Sequence, residues 1–154
     1  MYLTDRIIVL SLLIASLLGY FCCSPRGEEA GYRLMKVIDG DTVQLRTPVG
    51  EVIMVRYIGI DCPERGEPFY YFALKTNRNL LKGKRIILKF DEKLHDTYGR
   101  WLAYVYADEM MVNAELVRLG CARLYLDSEN EKHLSLFKKM LEEAQRHHRG
   151  LWER

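Results

Sequence analysis

Residues 32–60 alternate between short β-type segments and tight turns, and this alternation restricts the fold more than any other feature of the chain. Residues 32–38 and 43–46 predict a hairpin around the turn sequence DGDT. A second turn, TPVGE, leads into a longer predicted strand over residues 52–60. Together the three strands predict a β-meander.

The next part of the chain predicts a helix and further strands. Residues 68–81 place apolar side chains at helical spacing, and Gly83 is suited to end that helix. Residues 85–90 alternate as a strand, and residues 101–106 with 110–112 predict a hairpin that turns at ADE. Five strands with one interposed helix predict an α+β fold built on a small, partly open barrel.

Two more helices complete the predicted fold. Asn113 is the predicted N-cap of a short helix that runs through residue 119. Ser128 and Glu131 have the spacing of a capping box at the start of the last helix. That helix carries a stripe of apolar residues typical of a face packed on a core: Leu134, Phe137, Leu141 and Ala144.

The composition is that of an ordinary globular domain. The chain has 154 residues, of which 49% are hydrophobic and 29% are charged, and its formal net charge is +2. This length fits one domain with a short extension. Because the net charge is small, any attraction for nucleic acid must come from local patches.

The first thirty residues differ from the rest. Residues 7–23 read IIVLSLLIASLLGYFCC, an uncharged run of 17 residues that follows Arg6. A membrane span usually needs about 20 apolar residues, so both a cleaved signal peptide and a retained anchor are open. Cys22 and Cys23 leave lipid attachment open as well. We predict a targeting segment at 1–23, a linker at 24–31 and one exported domain at 32–154, either secreted or tethered to the outer face of the cytoplasmic membrane.

Two pairs of carboxylates are the candidate metal ligands. Asp39 and Asp41 lie in the DGDT turn, and Asp61 and Glu64 follow the third strand. A turn of this composition often has no further role. However, carboxylates gathered in one place repel one another unless protons or a cation neutralise them. Oxygen ligands without histidine or thiolate favour calcium or magnesium.

Two arginines add a phosphate-binding character to this acidic cluster. Arg56 and Asp61 have opposite parity on a regular strand, so a bend, which Gly59 could supply, is needed before both face one site. Arg100 follows a glycine turn. Either arginine alone fits a salt-bridge partner. Both together, with a divalent cation and a spare carboxylate, favour a site that grips a phosphodiester.

Four ordered segments resemble the staphylococcal nuclease family: VIDGDTVQL, VRYIGIDCPE, DTYGRWLAYVYAD and MVNAELVRLGCA. The resemblance covers residues 32–154. It implies a five-stranded OB-fold barrel with three helices. It also implies a calcium-dependent, sugar-nonspecific nuclease that hydrolyses DNA and RNA and leaves 3′-phosphates. Single strands are the expected substrates above all, and a monomer is the default expectation, since the sequence does not indicate an oligomeric state.

The resemblance also implies a set of metal ligands and an acid–base residue. One calcium ion would be held by Asp41, Asp61 and the backbone carbonyl of Cys62. Asp39 would support this site from behind. Glu64 would orient or deprotonate the attacking water.

For the substrate, the resemblance assigns phosphate binding to Arg56 and Arg100, and a phosphate contact to Tyr98. Two positions depart from the family pattern. Thr97 stands where the best-known member has a lysine that assists phosphate binding, and Tyr125 is out of register with the nucleotide-stacking tyrosines. Weaker substrate affinity is therefore expected.

Cys62 is a further departure, since this position is usually threonine in the family. Because only the backbone carbonyl of this residue would meet the metal, the change is expected to be tolerated. The resemblance also brings the segment after Gly120 close to Asp61. This proximity suggests a disulfide between Cys62 and Cys121, while two separate buried thiols that pack as small hydrophobic side chains stay open as the alternative.

An alternative from another class stays open on the sequence. OB-folds also serve as catalytically silent modules that bind single strands or protein partners through aromatic residues and basic grooves. Tyr57, Tyr70, Tyr71 and Trp101 could form such a surface. A silent module, however, has no need for the full set of acidic residues and arginines described above.

Overall fold

The computed structural model describes residues 31–125 and 129–153. The predicted targeting segment, the linker up to residue 30 and Ser128 lie outside the described residues, and what was inferred for them stays a prediction. No helix within the described ranges is long and apolar enough to cross a membrane.

Strands form the centre of the domain. In chain order they are β1 (Arg33–Val37), β2 (Thr42–Arg46), β3 (Val52–Tyr57), β4 (Ile60–Asp61), β5 (Ile86–Lys89), β6 (Trp101–Ala107), β7 (Met110–Met111) and β8 (Arg123–Leu124). The main sheet has the order β1-β2-β3-β6-β5, with β7 paired to β6, while β4 pairs separately with β8. All pairings are antiparallel except that of β3 with β6.

One backbone contact closes this sheet into a barrel. The N–H of Tyr32, just before β1, donates to the carbonyl of Ile86 in β5 at 2.8 Å. The two outer strands of the five-strand path therefore meet. The predicted five-stranded barrel is confirmed.

Three α-helices surround the barrel in the described part of the chain. They are α1 (Tyr70–Leu81), α2 (Val112–Arg118) and α3 (Leu134–Arg146), and a 3₁₀ turn follows at Gly150–Trp152. The predicted apolar stripe of α3 is confirmed in part by burial, since Phe137 and Ala144 are buried. Phe137 packs in a small cluster with Ile58, Leu102, Tyr104 and Ala114. This cluster fastens α3 to β6 and to the end of β3.

The long strand predicted over residues 52–60 is interrupted. β3 ends at Tyr57, and Gly59 then adopts a φ of 78° before β4 begins. A Cβ at Gly59 would lie 2.5 Å from the ring of Phe137, so both the backbone angle and the packing require glycine here. The bend that the alternation pattern demanded is therefore real, and Gly59 supplies it.

The predicted capping role of Asn113 is wrong. α2 begins at Val112, and Asn113 is fully buried inside the helix. Its side chain accepts the N–H of Val105 at 2.8 Å and donates to the carbonyl of Ile58 at 2.9 Å. A buried polar side chain needs hydrogen-bond partners. Asn113 finds them in backbone groups of the barrel and not at the start of the helix. The last helix likewise begins at Leu134 with no side-chain cap.

The disulfide suggested for Cys62 and Cys121 is also wrong, because both are buried free thiols. Both side chains belong to the main core cluster. Cys62 packs so closely on the DGDT turn that a Cβ added to Gly40 would lie 2.7 Å from its sulfur. Cys121 is instead hydrogen-bonded to Thr76 in α1. Each thiol therefore has its own neighbours.

Candidate active site

An open cavity of about 330 Å³ lies where the DGDT turn, the end of β3 and the loop before β6 meet. All but one of the predicted site residues line it: Asp39, Asp41, Arg56, Asp61, Glu64, Tyr98 and Arg100. The exception is Cys62, for which only a backbone role was predicted. The fold therefore brings together residues that are up to 61 positions apart, from Asp39 to Arg100.

The DGDT turn is held in place by hydrogen bonds from within and from α1. The N–H of Asp41 donates to Asp39 Oδ1 at 3.1 Å. Asn77 of α1, which is fully buried, donates to the carbonyl of Asp39 at 3.1 Å and accepts the hydroxyl of Tyr57 at 3.0 Å. A helix thereby fixes the position of the acidic turn relative to the barrel.

Asp41 is a buried carboxylate, only 4% exposed. One oxygen accepts the backbone N–H of Cys62 at 2.6 Å, and the other accepts the hydroxyl of Thr42 at 3.1 Å. Burial raises the pKa of Asp41 to about 7, since it penalises the charged form more than the nearby Arg56 favours it, and Asp39 adds repulsion. The site therefore holds a negative charge that calls for further neutralisation.

Arg56 lies between the two acidic elements. Its guanidinium contacts Asp41 at 3.0 Å and Asp61 at 2.9 Å. It also donates to the carbonyls of Tyr57 and Ile60, at 3.2 and 2.9 Å. These contacts hold the chain reversal around Gly59, so Arg56 organises the turn that places Asp61 beside Asp41.

Glu64 lies beyond β4, at the edge of the cavity, and is exposed. Its backbone N–H donates to Glu67 Oε2 at 2.8 Å, and its carbonyl accepts the N–H of Glu67 at 2.9 Å. The backbone at Glu64 is thus fixed by a small turn. A carboxylate in this position faces both solvent and the cavity, as a residue that handles water would need to.

Arg100 reaches the cavity from the opposite side, on the loop before β6. Its Nε donates to Asp96 Oδ2 at 2.6 Å. The guanidinium lies 5.5 Å from the ring centre of Tyr98, whose side chain is 84% exposed. Cation and aromatic ring together form one wall of the cavity.

Sequence reasoning missed three polar residues that support the cavity. Asp96 was not singled out, although an aspartate three residues before a glycine is a common turn signal. Asn77 and Asn130 gave no signal, because an asparagine in an isolated polar segment looks solvated. Asn130 is in fact 5% exposed and pairs with both the N–H and the carbonyl of Lys93, at 3.0 and 3.2 Å.

Whether the residues fit a calcium ion can be judged from their chemistry. Among the described residues, no three acidic, histidine or cysteine side chains converge as a ready metal cage. The predicted ligand set needs only two such side chains, Asp41 and Asp61, together with the carbonyl of Cys62. These are hard oxygen donors, and Asp41 carries a charge that its burial disfavours. The donor set therefore fits calcium and leaves positions for water or phosphate oxygens.

Comparisons with known proteins agree with this geometry. The chain is 35% identical to a thermonuclease of Staphylococcus intermedius over 135 residues, 84% of this chain and 79% of that protein. It is 30% identical to a thermonuclease of Staphylococcus hyicus over 154 residues, covering 95% and 90% of the two chains. It is also 36% identical to the SPbeta prophage-derived endonuclease YokF of Bacillus subtilis, covering 82% of this chain but only 45% of that protein.

The sequence profile described as staphylococcal nuclease homologue matches residues 54–154. This stretch runs from within β3 through the 3₁₀ turn and includes Arg56, Asp61, Glu64 and Arg100. The fold, the cavity and the similarity to two thermonucleases agree. The chain belongs to the staphylococcal nuclease family.

Proposed function

We propose that this protein is a calcium-dependent, sugar-nonspecific nuclease that hydrolyses phosphodiester bonds of DNA and RNA and leaves 3′-phosphate products. The observation that carries the proposal is the shared cavity of Asp41, Arg56, Asp61, Glu64 and Arg100. Acidic residues able to hold a cation and basic residues able to hold a phosphate face the same space. The relatives named thermonuclease and endonuclease support a nuclease in general terms.

In the proposed reaction the scissile phosphate lies between Arg56 and Arg100. A water oxygen forms a bond to phosphorus while the bond from phosphorus to O5′ breaks, and O5′ takes a proton from solvent, which leaves a 3′-phosphate and a 5′-hydroxyl. Glu64 orients this water and accepts its proton. The two guanidinium groups stabilise the negative charge that builds up on the phosphoryl oxygens.

Calcium would be held by Asp41, Asp61 and the carbonyl of Cys62, with Asp39 fixing the turn behind them. When bound, calcium would act as a Lewis acid and neutralise negative charge on the phosphate. The protein side of this arrangement is already organised. Arg56 bridges Asp41 and Asp61, and the N–H of Cys62 holds Asp41.

Little base or sugar selectivity is expected, because the proposed groups bind phosphate and a cation rather than base edges. The exposed rings of Tyr98 and Tyr125 line the same cavity. Aromatic rings of this kind stack on unpaired bases of any identity. We therefore propose single strands as the preferred substrate.

The uncharged run at residues 7–23 supports an exported protein, secreted or tethered to the outer face of the cytoplasmic membrane. We propose that it acts there as a monomer. Cell fractionation with an antibody against the chain tests the location. Recovery of the full-length chain from the cytosol would contradict it.

The nuclease proposal is tested by release of acid-soluble nucleotides from single-stranded DNA and RNA. The full-length chain is assayed with calcium and with a chelator, beside Glu64→Gln and the matched control Glu109→Gln, an exposed residue of the turn after β6. We expect calcium-dependent release that falls by at least 10²-fold in Glu64→Gln only, on the scale of losing one catalytic group. A folded, calcium-supplied wild-type chain that binds single strands without cutting them would instead identify the silent binding module.

A further inference from the structure

The two arginines of the cavity are held in different ways. Arg56 uses both terminal nitrogens on protein acceptors, namely two carboxylates and two carbonyls. Arg100 is held through Nε, by Asp96. In the part of the chain that the structure describes, neither terminal NH₂ group of Arg100 donates a hydrogen bond to protein. The two terminal NH₂ groups of Arg100, which together can bind two phosphate oxygens, are therefore open.

Asp96 contacts Arg100 at three points. Oδ1 accepts the N–H of Arg100 at 2.9 Å, and Oδ2 accepts its Nε–H at 2.6 Å. The N–H of Asp96 donates to the carbonyl of Arg100 at 3.1 Å. Oδ1 also accepts the N–H of Tyr98 at 2.9 Å. One carboxylate thus closes the turn and fixes the plane of the guanidinium.

We propose that Asp96 is a positioning residue for the nuclease reaction, which holds Arg100 by Nε so that both terminal NH₂ groups face the scissile phosphate. The proposal rests on the proposed function, because Arg100 has a phosphate to bind only in a nuclease. Asp96 itself touches no substrate. Its effect on rate passes through the orientation of Arg100, and misplacement of such a group by about 1 Å can cost 10²-fold in rate.

The charge state and exposure of Asp96 agree with this role. Partial burial raises the pKa of Asp96, but the hydrogen bonds from the N–H and guanidinium of Arg100 outweigh it and hold the pKa below its usual value. Asp96 is therefore an acceptor throughout the neutral range. An ordinary surface ion pair between Asp96 and Arg100 would add little to the stability of the fold. The three contacts between these residues therefore matter more for the orientation of Arg100.

Asp96→Asn is the test variant. An asparagine oxygen can still accept the two backbone N–H groups, while its NH₂ group cannot accept from Nε. We expect kcat to fall by about tenfold to a hundredfold with KM changed less than about threefold. Asp108→Asn is the matched control. Asp108 likewise accepts a backbone N–H, from Arg85 at 3.1 Å, and pairs with a cation, Lys84 at 2.8 Å, but lies away from the cavity. Its activity should equal that of wild type.

A double-mutant cycle separates positioning from general disruption. Lysine has no guanidinium and so no Nε–H for Asp96 to hold. In an Arg100→Lys background, Asp96→Asn should therefore have no further effect on kcat. Multiplicative losses from the two substitutions would overturn the proposal. So would a kcat of the folded Asp96→Asn variant within about twofold of wild type.

A second readout does not depend on activity. In ¹⁵N NMR the Arg100 Nε–H should be slow to exchange with solvent in wild type and fast in Asp96→Asn, with the Asp108→Asn spectrum unchanged. Rapid exchange in wild type would overturn the proposal even if the enzyme is active. A wild-type chain without nuclease activity would refute the proposed function, and with it any effect of Asp96 on the reaction. Activity with a protected Nε–H and a multiplicative cycle would refute the positioning role alone.

Discussion

The guanidinium of Arg56 lies 3.0 Å from the carboxylate of Asp41, on the neighbouring strand end. Thr42 and Arg56 are register partners of β2 and β3, so the residue before Thr42 is brought to this guanidinium by strand pairing. Even with this partner, burial keeps the pKa of Asp41 at about 7. The folded protein without metal therefore carries a charge that it stabilises poorly.

Replacement of this charge by a neutral group of the same shape should stabilise the metal-free protein. For Asp41→Asn we expect the free energy of unfolding at pH 8 in chelator to rise by a few kcal/mol at most, because an ionised carboxylate costs the fold about 1.4 kcal/mol for each unit by which its pKa is raised. Nuclease activity should be lost at the same time. Urea unfolding at pH 8 measures the first effect, and a variant less stable than wild type would contradict it.

Calcium should stabilise the wild-type fold in proportion to its binding. At a concentration one hundredfold above its Kd, a ligand that binds only the folded state adds about 2.7 kcal/mol. We expect thermal unfolding to shift upward with calcium in wild type and very little in Asp61→Asn, which lacks one proposed ligand. Potassium chloride at equal ionic strength is the control for screening. Equal shifts in both proteins would place calcium elsewhere.

The barrel and the composition of the site were readable from the sequence because both depend on local patterns. Alternation predicted the strands, and the opposite parity of Arg56 and Asp61 predicted a bend that Gly59 provides. The roles of the site residues stay predictions, although the structure gathers all of the side chains concerned around one cavity.

What the sequence could not show depends on partners far along the chain. Asn113 bonds Ile58, which is 55 positions away, and Asn130 bonds Lys93, which is 37 positions away. From the local sequence, an asparagine at the start of a helix is predicted to be its cap. The backbone groups that bind Asn113 instead belong to distant parts of the chain, and only the tertiary fold brings them close. The suggested disulfide was also wrong, since Cys62 and Cys121 share one core cluster and are nevertheless free thiols.

Asn113→Ala should destabilise the domain strongly. The substitution leaves the N–H of Val105 and the carbonyl of Ile58 buried without their partner. Each such group costs about 1–3 kcal/mol, so a loss of about 2–6 kcal/mol is expected in chemical unfolding. Asn79→Ala, an exposed asparagine of α1, is the matched control and should change stability little. Similar effects of both variants would show that the buried hydrogen bonds matter little.

Glu143 should give the fold a component of acid sensitivity. Hydrogen bonds from Arg149 and then from Arg118 lower the pKa of Glu143 below its usual value. These pairs, at 2.8 and 3.2 Å, join α3 to the end of α2 and to the C-terminal turn. A carboxylate with a lowered folded pKa stabilises the fold above its unfolded pKa of 4.5, and the effect is lost as pH falls through the folded value.

Glu143→Gln should therefore unfold at a lower temperature than wild type at pH 7, and the difference should shrink towards pH 3. Glu142→Gln, at the exposed neighbouring position of α3, serves as the control and should follow wild type at both values. Thermal scans at several pH values measure the difference. A gap that is constant with pH would show that the charge of Glu143 has no part in it.

The two buried thiols should be unreactive in the folded protein. Burial raises the pKa of Cys121 to about 11 and that of Cys62 well above its usual value, so little thiolate exists at pH 8. For the variant in which Cys22 and Cys23 are both replaced by serine, we expect almost no reaction with Ellman's reagent in native buffer. Two equivalents should react in denaturant without a reductant, because both are free. If the thiols react in denaturant only after a reductant is added, Cys62 and Cys121 form a disulfide after all. Fast reaction of the folded protein would show that at least one thiol is accessible.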